Sequence, residues 1–304
     1  MSTTTPAAPA APPTEPAPVT SPWVRRLAWA NLAAQIGIIV TGGAVRLTGS
    51  GLGCSTWPQC EPGQFTPVLH EETSTHTVIE FGNRTLTGLL GVIALALAVA
   101  VWRDPARPRW FRRLALVPLV GVAAQAVIGG ITVLADLHPA VVGLHMVVSL
   151  VLVAASASLL ALDGARLGRP VVAPPTLLAA RALLVVGGVL MVLGTVTTGA
   201  GPHGGDDEVA YRYAVDPVLA AKVHAAAVWV FVALVLTCLW LLRRAAADRT
   251  MRAWWVLLAV TLAQGLVGYV QYFTGLPELL VGVHLLGTGL LTASLTWAYC
   301  RLPR

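Results

Sequence analysis

The chain has 304 residues, 56% of them apolar and 11% charged, with a formal net charge of +6. Its mean hydropathy is +0.74. Soluble globular domains carry about 25% charged residues, so this composition excludes that class and points to an all-α integral membrane protein.

Residues 1–22 are rich in Ala, Pro, Thr and Ser. They lack the charged start and apolar run of a signal peptide and read as a disordered cytoplasmic tail. Apolar runs then predict eight transmembrane helices near 24–45, 77–102, 111–134, 139–162, 176–199, 218–242, 252–274 and 278–300. Arginines alternate with them. Arg25 and Arg26 precede helix 1, and Arg103, Arg107, Arg109, Arg112 and Arg113 separate helices 2 and 3. Arg166 and Arg169 separate helices 4 and 5. Arg243, Arg244, Arg249 and Arg252 separate helices 6 and 7, and Arg301 and Arg304 end the chain. The positive-inside rule therefore sets both termini in the cytoplasm. Because the arginines are spread over five segments, the net charge reads as a topology signal and not as a nucleic-acid surface.

Helix 1 ends in Thr41-Gly42 and enters a Gly-rich outer loop, Leu47–Gly53, with Arg46 at its mouth. Cys54 and Cys60 follow, with Pro58 between them. On an oxidising face they favour a disulfide; free thiols or a transient metal site are the alternatives. On helix 2, His76, Glu80 and Asn83 stand at i, i+4 and i+7 and share one face. A carboxylate inside an apolar helix is expensive. Glu80 therefore reads either as an ion pair with Arg84 or as a group with a chemical role. In the second case it would stabilise a carbocation or move a proton.

Helices 5 to 8 repeat helices 1 to 4. Thr198-Gly199 matches Thr41-Gly42, and Gly201–Gly205 matches the first Gly-rich loop. Gln125 stands 20 residues before His145, and Gln264 stands 20 before His284. Between them Gly129, Leu137, Val142 and Gly143 line up with Gly268, Leu276, Val281 and Gly282. Four helices per copy is an even number, so the copies enter the membrane the same way. The reading is two parallel-repeat four-helix bundles, 23–162 and 176–301, each with a polar site in its core.

Of the seven histidines, His145, His224 and His284 fall within helices about two turns from the outer end. His224 and His284 belong to the same half at equal depth, the arrangement that bis-imidazole haem ligation requires. Gly282, Gly287 and Gly289 around His284, and Ala225, Ala226 and Ala227 beside His224, leave room for a flat macrocycle. Interhelical hydrogen bonding is the plainer reading of a membrane histidine, and no cluster at zinc spacing appears within the membrane. In the first half His145 matches His284, but Asn83 stands where His224 would. An amide is a poor iron ligand, so that site holds iron through His145 alone or recruits His76. The asymmetry suggests an electron-carrying haem in the C-terminal half and a working site in the N-terminal half. Arg46 and Arg84 read as partners of haem propionates or as interface anchors. His203 reads as a loop contact, His70 and His138 carry no distinguishing context, and Cys238 and Cys300 read as buried apolar residues.

The residues from Thr41 to Cys54, Glu80–Arg84, Gly201–Asp206 and the three helix histidines, in this order and spacing, resemble the haem A synthase family. The resemblance covers nearly the whole chain after the tail. It implies an oxidoreductase of the bacterial cell membrane that oxidises a ring methyl of haem O to a formyl group, through a hydroxymethyl stage, giving haem A for cytochrome c oxidase. It implies haem b between His224 and His284, and substrate haem in the N-terminal half near His145, His76, Asn83 and Arg84. It also implies Glu80 as the essential acid and a Cys54–Cys60 pair. Haem O synthase and an electron donor would be its partners, with the lipid bilayer around it. The rival reading is a dihaem b-type cytochrome serving quinol-linked electron transfer; a transporter or oxidase-assembly factor is a second.

Overall fold

A computed structural model describes residues 21–67, 75–164, 171–206, 208, 209, 211–245 and 248–302. The tail expected at 1–22 lies outside the described residues up to residue 20, as do His70, Arg166, Arg169 and Arg304. The described residues form eight helices: α1 (Pro22–Leu47), α2 (Thr75–Trp102), α3 (Arg109–Leu134), α4 (Pro139–Leu162), α5 (Pro174–Ala200), α6 (Pro217–Arg244), α7 (Asp248–Phe273) and α8 (Glu278–Cys300). Each lies within a few residues of its predicted span. They run from 23 residues in α8 to 28 in α2 and α6. At 1.5 Å per residue that is about 35–42 Å, enough to cross a hydrocarbon core of about 30 Å. All eight are long and apolar enough to do so. The protein is a multi-pass membrane protein.

The helix starts follow from local chemistry. Pro occupies the first turn of α1, α4, α5 and α6, where its missing N–H is no loss. The Asp216 carboxylate caps α6 by accepting from Leu219 N at 2.8 Å. The His138 ring does the same for α4 through Ala140 N at 3.3 Å. Leu137 and Leu276 end the turns after α3 and α7 with left-handed φ of 57° and 61°. Each donates its N–H to the carbonyl five residues back, Thr132 O at 2.8 Å and Gln271 O at 2.7 Å, the closure of a Schellman-type turn.

In the first half α1 packs on α2, α2 on α3, α3 on α4 and α4 back on α1. The same cycle joins α5, α6, α7 and α8, leaving α2 diagonal to α4 and α6 diagonal to α8. Each ring has its own apolar core. One gathers Leu32, Ile36, Leu97, Phe111, Val153 and Leu159; the other gathers Leu183, Phe231, Val235, Leu242, Trp254 and Leu295. The rings meet along α1, α4, α5 and α8. Gly43 lies under Leu285 and Gly289 against Ile36 at this seam, small residues that let helices approach where hydrocarbon gives no drive to associate.

Large apolar side chains such as Val92, Val120, Val185, Trp229 and Leu266 are more than half exposed around the outside. A bilayer makes that arrangement favourable. At one end the connections carry arginines paired with tryptophans, including Arg26 over Trp23, Arg244 over Trp240 and Arg301 over Trp297, an interfacial belt. Arg107 pairs there with Asp104 and Asp163. The opposite end, with the α1–α2, α3–α4, α5–α6 and α7–α8 connections, is the site end.

Candidate functional site

Three imidazoles lie two turns into their helices from the site end, each lodged over a glycine of the preceding helix. A Cβ on Gly129 of α3 would lie 3.3 Å from Cε1 of His145 on α4. Gly194 of α5 has the same 3.3 Å relation to His224 on α6, and Gly268 of α7 to His284 on α8. The glycine removes the one substituent that would push the ring off its bed.

The backbone beneath two of these rings is braced identically. Gln125 Nε2 donates to His145 O at 2.9 Å and to Ser149 Oγ, and Ser149 Oγ donates to His145 O at 3.0 Å. Gln264 Nε2 donates to His284 O at 2.8 Å and to Thr288 Oγ1 at 3.1 Å, and Thr288 Oγ1 donates to His284 O at 2.9 Å. The glutamine–histidine spacing was visible in the sequence. The hydroxyls at Ser149 and Thr288, four residues after each histidine, and the Gly194 bed were not singled out, although matched offsets would have found them.

Nδ1 of His145, His224 and His284 is sealed from solvent with no hydrogen-bond partner among the described residues. The Leu190 carbonyl approaches the His224 ring, without meeting hydrogen-bond geometry at Nδ1. Nε2 of each ring has no hydrogen-bond partner among the described residues and is not among the sealed atoms. Buried imidazoles are costly unless something binds them. His224 and His284 stand on diagonal helices of one ring. Two buried imidazoles without hydrogen-bond partners on facing helices of one ring are residues that would hold a haem iron. Among the described residues no cluster of three His, Cys, Asp or Glu suits a bare metal ion.

In the first ring, Asn83 on α2 stands diagonal to His145 on α4. Its Oδ1 accepts from Thr41 Oγ1 at 2.8 Å. Toward the site end, Glu80 is 5% exposed. Its Oε2 accepts from Cys54 N at 2.7 Å, and its Oε1 accepts from Arg84 Nε at 3.0 Å and Nη2 at 2.5 Å. Arg84 also donates to Thr56 O at 3.1 Å and Gln59 O at 3.2 Å. The Glu80–Arg84 ion pair is thus formed, and it clamps the Cys54–Cys60 loop. That loop is closed by a disulfide with Cα atoms 4.5 Å apart and both cysteines fully buried. Its Trp57 ring lies against Gly130 of α3 where a Cβ would collide.

His76, one turn beyond Glu80, has its Nδ1 2.9 Å from Ser50 Oγ. Arg46 donates Nε to His203 O at 2.8 Å and Nη2 to Thr198 O at 3.1 Å, tying the end of α1 to the end of α5 and the α5–α6 loop. His203 Nε2 meets Leu276 O at 3.0 Å, a loop contact as its context suggested. Cys238 is buried within α6, and Cys300 Sγ lies 3.8 Å from Ser158 Oγ.

A family model described as cytochrome oxidase assembly protein matches residues 25–226. Among curated proteins, heme A synthase of Lysinibacillus sphaericus is 36% identical over 135 residues, 43% of each chain. Heme A synthase of Bacillus cereus is 35% identical over 116 residues, 38% of this chain and 36% of that one. Heme A synthase of Bacillus anthracis matches to the same extent. In each case the match spans less than half of the relative's length.

Proposed function

The chain belongs to the cytochrome oxidase assembly protein family, and from that premise we propose that it is a haem A synthase, an oxidoreductase converting the ring methyl of haem O to a formyl group. Residues 23–162 form the substrate half and 176–301 the cofactor half. The observation that carries the reading is the contrast between the halves. One has two buried imidazoles without hydrogen-bond partners at Nδ1, His224 and His284, on diagonal helices. The other has one imidazole, His145, with a buried carboxylate, Glu80, one turn from the position opposite it.

The cofactor is haem b, held by His224 and His284, and it supplies one-electron carriage when bound. Gly194 and Gly268 seat the two rings, and Gln264 with Thr288 holds the His284 backbone in register. Substrate haem O binds the first ring through His145. Methyl to hydroxymethyl is a two-electron oxidation, and hydroxymethyl to formyl a second. With water as the oxygen source the sum releases four electrons and four protons. Glu80 stabilises positive charge developing at the methyl carbon or accepts a released proton. Arg84 pairs with the carboxylate at Oε1 and holds it in place beside the loop. The site end faces out of the cytoplasm of a bacterial cell membrane, with both termini inside; the arginine distribution supports this orientation. Haem O synthase is the partner that would supply the substrate; with water as the oxygen source the four electrons pass to an electron acceptor, and an electron donor is required only where dioxygen supplies the oxygen.

The test is haem extraction and chromatography from membranes supplied with haem O, comparing wild type with Glu80→Ala. Haem A in the wild type, with haem O or a hydroxymethyl product in the variant, supports the reading. Bound haem b without haem A in either would replace it with an electron-transfer cytochrome.

A further inference from the structure

The two rings differ at one axial position. Thr41-Gly42 on α1 corresponds to Thr198-Gly199 on α5, which sets Gly37 opposite Gly194. Gly194 bears the His224 ring; Gly37 has no heavy atom within 4 Å of where its Cβ would be. The bed is kept and the imidazole is gone. Asn83, on the helix facing His145, is too short to reach across. It is turned toward the site end, with Oδ1 engaged by Thr41 and Nδ2 only 3.9 Å from a Cβ position on Gly42. Nδ2 has no acceptor among the described residues.

His76 does not take the missing place. It precedes Asn83 by seven residues, about 10 Å along the helix axis; the Ser50 contact at Nδ1 leaves Nε2 free, so it is this distance that keeps the ring from the level of Asn83. Its backbone is also pinned to the loop. A Cβ on Gly53 would strike His76 C and O, each at 2.5 Å, so the segment cannot slide toward the centre without displacing the loop.

We infer that a haem in the first ring is five-coordinate, with His145 as its sole protein ligand, and that the Asn83 side is an open binding site for a small neutral or anionic ligand. Asn83 Nδ2, without an acceptor among the described residues, is the hydrogen-bond donor that side offers. Donors and steric access on the distal side decide whether iron binds an external molecule. This rests on the proposed substrate half, but concerns only its ligation.

The test uses purified full-length protein titrated with haem b to saturation, then reduced and exposed to carbon monoxide. A bis-imidazole iron has no free position and does not respond; a five-coordinate iron does. The expected result is two haems per chain and one carbon monoxide bound. Asn83→His should abolish carbon monoxide binding and convert the high-spin fraction to low-spin, while Asn83→Ala and His76→Ala retain binding. The low-spin signal of the second ring, kept in every variant, reports folding. Two haems with no carbon monoxide bound in the wild type, or binding that appears only on His76→Ala, would overturn the inference. A stoichiometry fixed at one haem and unaffected by His145→Ala overturns the substrate half itself and this inference with it. Haem count, not ligation, separates the two failures.

Discussion

The Glu80 carboxylate holds the backbone of Cys54, accepting its N–H at 2.7 Å across 26 residues of chain. The same carboxylate is paired with Arg84, which grips two further carbonyls of the Cys54–Cys60 loop. One acidic residue on a membrane helix therefore has two duties: it orders the loop that covers the first ring, and it stands beside the proposed substrate.

These duties separate by substitution. Glu80→Gln keeps an acceptor for Cys54 but removes the charge; Glu80→Ala removes both. Hydrogen bonds to charged groups contribute about 1.5–3 kcal/mol. Both variants should lose formyl product by roughly 100-fold or more if the charge is used in the transition state. Only Glu80→Ala should also render the loop sensitive to protease. Equal protease sensitivity of the two would mean that the loop is held by something other than this hydrogen bond.

The glycine beds should respond by size. Gly268→Val and Gly194→Val put branched side chains where even a Cβ stands 3.3 Å from an imidazole carbon. Each should displace its ring and lower haem b retention on purification, with the helices intact by circular dichroism. Gly37→Ala, with open space around it, should leave haem content unchanged. If Gly37→Ala were as damaging as Gly194→Val, the two beds would not differ in occupancy as described.

Gln264→Leu removes the donor to His284 O and Thr288. Side-chain hydrogen bonds inside membrane proteins average about 0.6 kcal/mol and reach about 1.7. The expected outcome is a small loss of thermal stability with weakened haem b binding. Gln125→Leu should do the same for the first ring only, read as lower haem O occupancy with haem b unchanged.

Cys54→Ser or Cys60→Ser opens a ring of seven residues, for which chain entropy predicts roughly 2–3 kcal/mol of lost constraint. The loss should stay local, because the loop is separate from both apolar cores. Trp57 fluorescence should shift as the ring leaves Gly130, and reductant should reproduce the shift in the wild type. A global drop in melting temperature instead would make the disulfide part of the fold and not of the loop.

The sequence by itself determined the eight spans, because burying a backbone in lipid requires helices, and helices of that length need uninterrupted apolar runs. It also exposed the equivalence of Leu137 with Leu276 and of Gln125 with Gln264. Both pairs do the same local work in the structure, since turn closure and bracing act over 5 and 20 residues. The three helix histidines and Asn83 were legible as well, as unusual side chains at matched depth. Only the tertiary structure decided which partners those groups meet. That Glu80 holds Cys54, that Thr41 turns Asn83 aside, and that Arg46 spans to His203 depend on separations of 26, 42 and 157 residues. Contacts of that range follow from how helices pack and loops fold back. His76 shows the difference most plainly. Helical periodicity puts it on the face of Glu80 and Asn83, but loop packing commits its Nδ1 to Ser50.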